Sequence, residues 1–144
     1  LDMTHYIAAV PDDANAHNHL GVLYFETGDK EKAVASYEQA VHLEPGEPAY
    51  QKNLADFYLI EQGRIEDALK LYHGVLEQNP EDIESLIACG LICTSVGQPD
   101  DAKHFYHRVL EIEPWNETAR KALEEFHIAD DAPSGNGYDT AAAG

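Results

Sequence analysis

The residue types that could hold a metal or act as a nucleophile are eight histidines, two cysteines and a few serines. His104 and His107 stand three apart, a spacing that on a helix would turn both rings toward one ion. No thiolate or carboxylate stands where it would complete a standard site with them, so they read as part of a solvated helix face. Cys89 and Cys93 stand four apart in an apolar segment. A single helix rarely offers the geometry of a disulfide, and a buried thiol behaves as a small hydrophobe, so the pair reads as core packing. Free buried thiols also point to a reducing compartment, hence to a cytoplasmic protein. Ser36, Ser85, Ser95 and Ser134 lie in no nucleophile motif, and no glycine-rich phosphate loop is present. The sequence therefore predicts no catalytic residue, no metal and no cofactor. Asn116-Glu117-Thr118 matches a glycosylation acceptor, but Asn116 also stands where it would cap the last helix, which is the preferred reading. Trp115, just before that cap, reads as a packing residue over the junction.

Charge excludes further classes. Asp and Glu number 27 against 9 Lys and Arg, a formal net charge of −18. Nucleic-acid binding needs clustered cations to release phosphate counterions, and anionic membrane surfaces are disfavoured by the same surplus. No apolar run approaches the roughly 20 residues that span a bilayer, so no membrane insertion is expected. The 44 % hydrophobic content suits a real core or a short run of stacked units.

The elements that must position these side chains repeat. Gly28, Gly63 and Gly97 are separated by 35 and then 34 residues, and Ala33, Ala68 and Ala102 keep the same steps. So do Tyr37, Tyr72 and Tyr106, and Pro45, Pro80 and Pro114. Earlier in each unit the steps reverse, as in Leu20, Leu54 and Cys89, which places one inserted residue between Tyr58 and Gly63. Each glycine can end one helix in the left-handed conformation, and each proline closes a unit. The pattern predicts first helices over 13–26, 47–61 and 81–95, second helices over 30–43, 64–77 and 99–111, and a final helix over 116–128.

Leu20-Gly21, Tyr24, Gly28, Ala33, Tyr37, Ala40 and Pro45 form a nearly complete unit that resembles the tetratricopeptide repeat family. The resemblance implies an all-α, right-handed superhelical solenoid of helix-turn-helix repeats with a C-terminal capping helix. It divides the chain into repeats at 11–46, 47–81 and 82–115 and a capping helix at 116–129 that carries Ala119, Leu123 and Phe126. Residues 1–10, with Met3, Ile7 and Val10 as an apolar stripe, are expected to be the second helix of a truncated preceding repeat, so that the chain starts inside a longer array. Residues 130–144 have no apolar period and are expected to form a disordered tail. Departures from the family pattern are His17, Gln51 and Leu86 where a bulky aromatic is common, and Ala55 in a glycine position.

Exposed faces carry the functional signal. Opposite the core anchors of the first helices stand Asn15, Asn18, Val22, Phe25, Ala49, Lys52, Asp56, Leu59, Glu84, Ile87, Leu91 and Thr94, of which half are apolar. Opposite those of the second helices stand Glu31, Ala35, Glu38, His42, Glu66, Lys70, His73, Glu77, Asp100, His104, His107 and Glu111, and only Ala35 is apolar. The resemblance implies that first helices line a concave side where peptides bind. The expected peptide-binding face is therefore Asn18, Val22, Phe25, Glu26, Lys52, Asp56, Leu59, Glu84, Ile87, Leu91 and Thr94. One family subtype holds acidic chain ends with Lys, Arg and Asn, at positions matching Asn18, Val22, Asn53, Glu84 and Ala88 here. Asn53 is kept, the basic pair is absent, and Glu84 would repel a terminal carboxylate. The expected function is a protein-protein interaction module, a scaffold or adaptor, whose partner is an apolar protein or peptide segment with basic residues. Two other readings stay open: a non-catalytic accessory segment of a larger bacterial-type enzyme such as a glycosyltransferase or methyltransferase, and a self-assembling scaffold.

Overall fold

The computed structural model describes residues 13–131, and among them the secondary structure is seven helices with no strand. They are α1 (Ala14–Glu26), α2 (Lys30–Leu43), α3 (Pro48–Gln62), α4 (Ile65–Gln78), α5 (Ile83–Ser95), α6 (Pro99–Ile112) and α7 (Glu117–Asp131). The expected half-repeat at 1–10 and the expected tail from 132 onward lie outside the described residues. Asp130 and Asp131, read as the start of that tail, instead belong to α7. Neither residue is a helix breaker, and the apolar period that set the expected end does not mark where a helix must stop.

The ends of the helices have local causes. Asp13 and Asp29 cap α1 and α2 by accepting from the amides of Ala16 and Lys32 at 3.0 and 3.2 Å. Pro48 and Pro99 occupy the first turns of α3 and α6, where a missing N–H costs nothing. Gly28, Gly63 and Gly97 adopt φ of 89°, 62° and 77°, a region in which a side chain would be strained. The amide after each glycine then closes the turn: Asp29 to the Tyr24 carbonyl, Arg64 to that of Tyr58 and Gln98 to that of Cys93, at 2.8–2.9 Å. The inserted residue is absorbed by lengthening α3, which has 15 residues against 13 in α1 and in α5.

Two compact units are built from these helices, one ending at Ser85 and one beginning at Leu86. In the first, α1 packs on α2, α2 on α3, and α3 on α4. Its core includes Ala33, Ala40, Leu54, Ala55, Phe57, Tyr72 and Val75, and the Phe57 ring lies 6.0 Å from both Phe25 and Tyr37. A Cβ on Gly21 would stand 2.8 Å from the Tyr37 ring, so this glycine is what lets α1 and α2 approach. His17 and Gln51 are buried despite their polarity, and Gln51 Nε2 donates to the Pro45 carbonyl at 2.6 Å.

The second unit repeats the device. A Cβ on Gly90 of α5 would stand 2.7 Å from the Tyr106 ring of α6. Leu86, Cys89, Ile92, Ala102, Tyr106, Val109 and Ala119 are buried, and α6 packs on α7. Cys89 and Cys93 are free and buried, as core residues are; burial, with the neighbouring Cys93, pushes the Cys89 thiol up to about 12. The expectation for Trp115 is corrected. It is 69 % exposed, and the turn beside it is closed by Asn116, whose side chain donates to Glu113 Oε1 at 3.1 Å and accepts from the Ala119 amide at 3.0 Å. Among the described residues no helix is long and apolar enough to cross a membrane.

Candidate functional site

Each unit carries a recessed apolar notch beside a first helix. In the first unit, Phe25 of α1, Tyr37 of α2 and Asn53, Asp56, Phe57, Ile60 and Glu61 of α3 enclose about 300 Å³. In the second, Leu91 and Thr94 of α5, Tyr106 of α6 and Thr118, Lys121, Ala122, Glu125 and Phe126 of α7 enclose about 520 Å³. Phe25, Tyr37, Asn53, Asp56 and Phe57 map onto Thr94, Tyr106, Ala122, Glu125 and Phe126 by a single step of 69 residues. The notches are therefore the same feature of the repeat, filled with different chemistry.

Of the eleven residues expected on the binding face, the structure brings Phe25 and Asp56 into the first notch and Leu91 and Thr94 into the second. The rest line neither. Val22, Leu59 and Ile87 are half-buried, and Glu26 is exposed. Asn18 is buried and accepts from Asn53 Nδ2 at 3.0 Å, so it sits behind the notch instead of on its wall. Lys52 is held by Asp82 Oδ1 at 3.1 Å and Glu84 Oε1 at 2.8 Å. Burial would lower the Lys52 pKa, yet the bonds to Glu84 and Asp82 outweigh it and hold the ammonium above its ordinary value. Glu84, expected to present an open negative charge, is thus partly neutralised from within the unit.

The carboxylate that the first notch does present is Asp56. It is exposed, and Tyr72, buried in α4, donates its phenol to Asp56 Oδ1. Glu61 on the same wall is paired with Lys30 at 2.7 Å. The Tyr37 pKa is raised, by burial first and by the charge of Glu26 second, so Glu26 adds negative potential at this notch. In the second notch Lys121 and Glu125 stand together, and Thr94 Oγ1 donates to the Gly90 carbonyl at 2.9 Å.

Ile60, which is 74 % exposed, was not among the expected residues. The opposite-face rule treats a helix as packed on one side only, whereas α3 packs against both α2 and α4. Its open wedge is consequently narrower and rotated, and is lined by Asn53, Asp56, Phe57 and Ile60 at the i, i+3, i+4, i+7 spacing. A signal existed in the sequence, because Ile60 shares its repeat position with Glu26 and Ser95 and is the apolar exception in that column. Phe126 and Lys121 belong to the capping helix, which the comparison of first helices left out.

The outer side of the first unit holds a different arrangement. Tyr58 donates to Glu38 Oε2 at 2.5 Å, Arg64 lies 3.9 Å from the Tyr58 ring centre, and Arg64 Nε reaches Asp67 at 2.9 Å. Burial, then Glu38, pushes the Tyr58 phenol up to about 12. This cluster ties α2, α3 and α4 together. His104 and His107 are exposed on α6, and among the described residues no three His, Cys, Asp or Glu side chains gather as a metal site.

Comparison with known proteins places this geometry. Models of the tetratricopeptide repeat match residues 14–47 and 59–114. The chain belongs to the tetratricopeptide repeat family. Anaphase-promoting complex subunit 7 of Arabidopsis thaliana is 32 % identical to this tetratricopeptide chain over 119 residues, covering 82 % of the chain and 21 % of that protein. Protein O-mannosyl-transferase TMTC3 of Mus musculus is 26 % identical over 117 residues, covering 72 % of the chain and 13 % of the relative. The chain therefore spans a minor part of either relative's length. Among solved structures, the first tetratricopeptide domain of Spaghetti (RPAP3) bound to the HSP90 peptide SRMEEVD superposes with a TM-score of 0.72 at 24 % identity, over 83 % of this chain and 94 % of that one. At that identity the likeness concerns the fold.

Proposed function

We propose that this chain is a protein-protein interaction module whose first-helix faces bind a peptide or protein segment through apolar anchors. One observation carries the reading. Phe25, Ile60 and Leu91 are 41 %, 74 % and 52 % exposed on first helices and stand at recessed notches, whereas the matching outer positions of the second helices are polar except Ala35. Large apolar side chains left in water beside a concavity are the usual anchors of a binding surface. The acidic peptide SRMEEVD held by the Spaghetti domain is a poor guide to the partner here, since Asp56 and Glu26 would repel its carboxylates.

Alanine scanning by calorimetry, against a partner captured on the purified chain, tests the assignment. Phe25→Ala, Ile60→Ala and Leu91→Ala should each cost about 1–3 kcal/mol of binding where the residue is a central anchor. His73→Ala and His107→Ala, on exposed second-helix positions, should leave affinity unchanged. Losses confined to the histidine variants would sink the face assignment.

A second reading has the O-mannosyl-transferase relative behind it: the array serves as an accessory, non-catalytic part of a larger enzyme and positions a catalytic region or an acceptor. The full reading frame separates the two. A transferase region in the same chain supports the accessory role, and further repeats alone support a scaffold.

A further inference from the structure

We propose that the notch of the first unit reads a two-residue signal, a bulky apolar side chain with a Lys or Arg beside it, the cation resting on Asp56 in the orientation that Tyr72 sets. The proposal rests on the peptide-binding reading above and names the chemistry of the partner at one notch. The notch, at about 300 Å³, lies at the lower end of the range for small-molecule sites, a size suited to one large side chain. Phe25, Phe57 and Ile60 line it with apolar surface, and burying a side chain there supplies affinity without direction.

Direction comes from charge. Of the two carboxylates on the wall, Glu61 is already occupied by Lys30. Asp56 accepts from a neutral phenol and makes no ion pair among the described residues. A neutral donor fixes where the carboxylate points without cancelling its charge, and leaves lone pairs for a guanidinium or ammonium. A lysine in place of Tyr72 would have removed that charge.

Among the described residues this arrangement occurs once. Tyr37, Tyr72 and Tyr106 share one repeat position, but the residues at the Asp56 position of the other repeats are Val22 and Leu91, which accept nothing. Tyr72 is 2 % exposed, so it is a positioning residue and does not touch the ligand. The notch of the second unit, with Lys121 and Glu125 side by side, has no such preference.

The test is a nuclear magnetic resonance titration of the nitrogen-labelled full chain with three end-blocked peptides, Gly-Phe-Lys-Gly, Gly-Phe-Glu-Gly and Gly-Ala-Lys-Gly. The Phe-Lys peptide should shift the amides of α3 around Asp56 and Ile60 and the end of α1, and should bind about two- to fivefold more tightly than the Phe-Glu peptide, the worth of one exposed ion pair. The Ala-Lys peptide should be weaker than either. Asp56→Asn should erase the Lys-over-Glu ratio and keep the apolar binding, and Tyr72→Phe should reduce the ratio. Should Tyr72→Phe fail to fold, Asp56→Lys serves instead and should reverse the ratio. Equal affinities for the Lys and Glu peptides, with shifts still at α1 and α3, would overturn the charge reading and leave the peptide-binding face standing. No shift at α1 or α3 with any peptide would overturn both.

Discussion

The two notches are built on one frame and differ in what fills it. Both rest on a tyrosine at the same repeat position, Tyr37 and Tyr106, packed against a glycine that no other residue could replace without displacing the ring. Between them, Phe25 gives way to Thr94, Asn53 to Ala122 and Asp56 to Glu125, and only the second notch gains a lysine, Lys121. The lesson is that the repeat's invariant positions make the concavity and its variable positions decide what the concavity can hold. A frame that is shared should fail in the same way in both units. A lining that is not shared should respond differently.

The largest effect expected is on the frame. Gly21→Ala and Gly90→Ala place a Cβ 2.8 and 2.7 Å from a tyrosine ring, and each should cost about 1–3 kcal/mol in denaturant unfolding, the range for overpacking a filled core. A loss at one glycine and none at the other would break the equivalence of the units.

Next in size is the bond from Tyr72 to Asp56, which among the described residues has no counterpart in the second unit. Tyr72→Phe should destabilise by about 1 kcal/mol, since the carboxylate is exposed and water takes over as donor. A wild-type melting temperature in that variant would mean that the phenol does not hold Asp56.

Alkaline titration compares a residue of each unit. Tyr58 in the first and Cys89 in the second are both pushed up to about 12, from ordinary values of 10.0 and 9.0. Their folded pKa values lie above the unfolded ones, so the stability they contribute is complete below about pH 9 and is lost as pH rises toward 12. Tyr58→Phe should flatten the loss of stability between pH 10 and 12, followed by circular dichroism. Cys89 should resist alkylation at pH 8 until the second unit opens. Rapid alkylation of the native chain at that pH would contradict its burial.

The smallest effect concerns Lys52. Glu84→Gln removes an ion pair whose carboxylate is largely exposed and should cost about 0.2–1 kcal/mol, diminishing with added salt. Asp82, the other partner, keeps its bond from the Ser85 amide: burial would raise its pKa, but hydrogen bonding from Ser85 and Lys52 lowers it. The stability it contributes is therefore present at neutral pH and is lost as pH falls below the ordinary carboxylate value of 3.8. Lys52→Ala should weaken this acid resistance, measured as a shift in the midpoint of acid unfolding.

Sequence reading and structure agree where the chemistry is local. Glycines at fixed steps that adopt positive φ and Asn116 as the cap of the last helix were legible as residue types at their positions, whereas the capping bond of Asp29 and the place of Pro48 in the first turn of α3 came from the structure. The family matches at 14–47 and 59–114 cover the glycine, alanine and tyrosine columns from which the repeat was read. Trp115 differs: its size suggests packing, but it is 69 % exposed, because burial depends on what other helices bring to the junction and not on the residue's own type.

What the sequence by itself determined is the set of helices and the repeat that relates them, because helix starts, stops and periodicity depend on residues within one or two turns of each other. It also marked the first helices as the ones bearing exposed apolar residues, and Phe25, Asp56, Leu91 and Thr94 as part of that surface. Only the tertiary structure decided which of those residues converge. Burial of α3 on two sides rotates its open wedge to Ile60 and leaves Leu59 half-buried, Lys52 absorbs the charge of Glu84, and Tyr72 reaches across from the second helix to orient Asp56. Each of these depends on the distance between side chains on different helices, which repeat spacing does not encode.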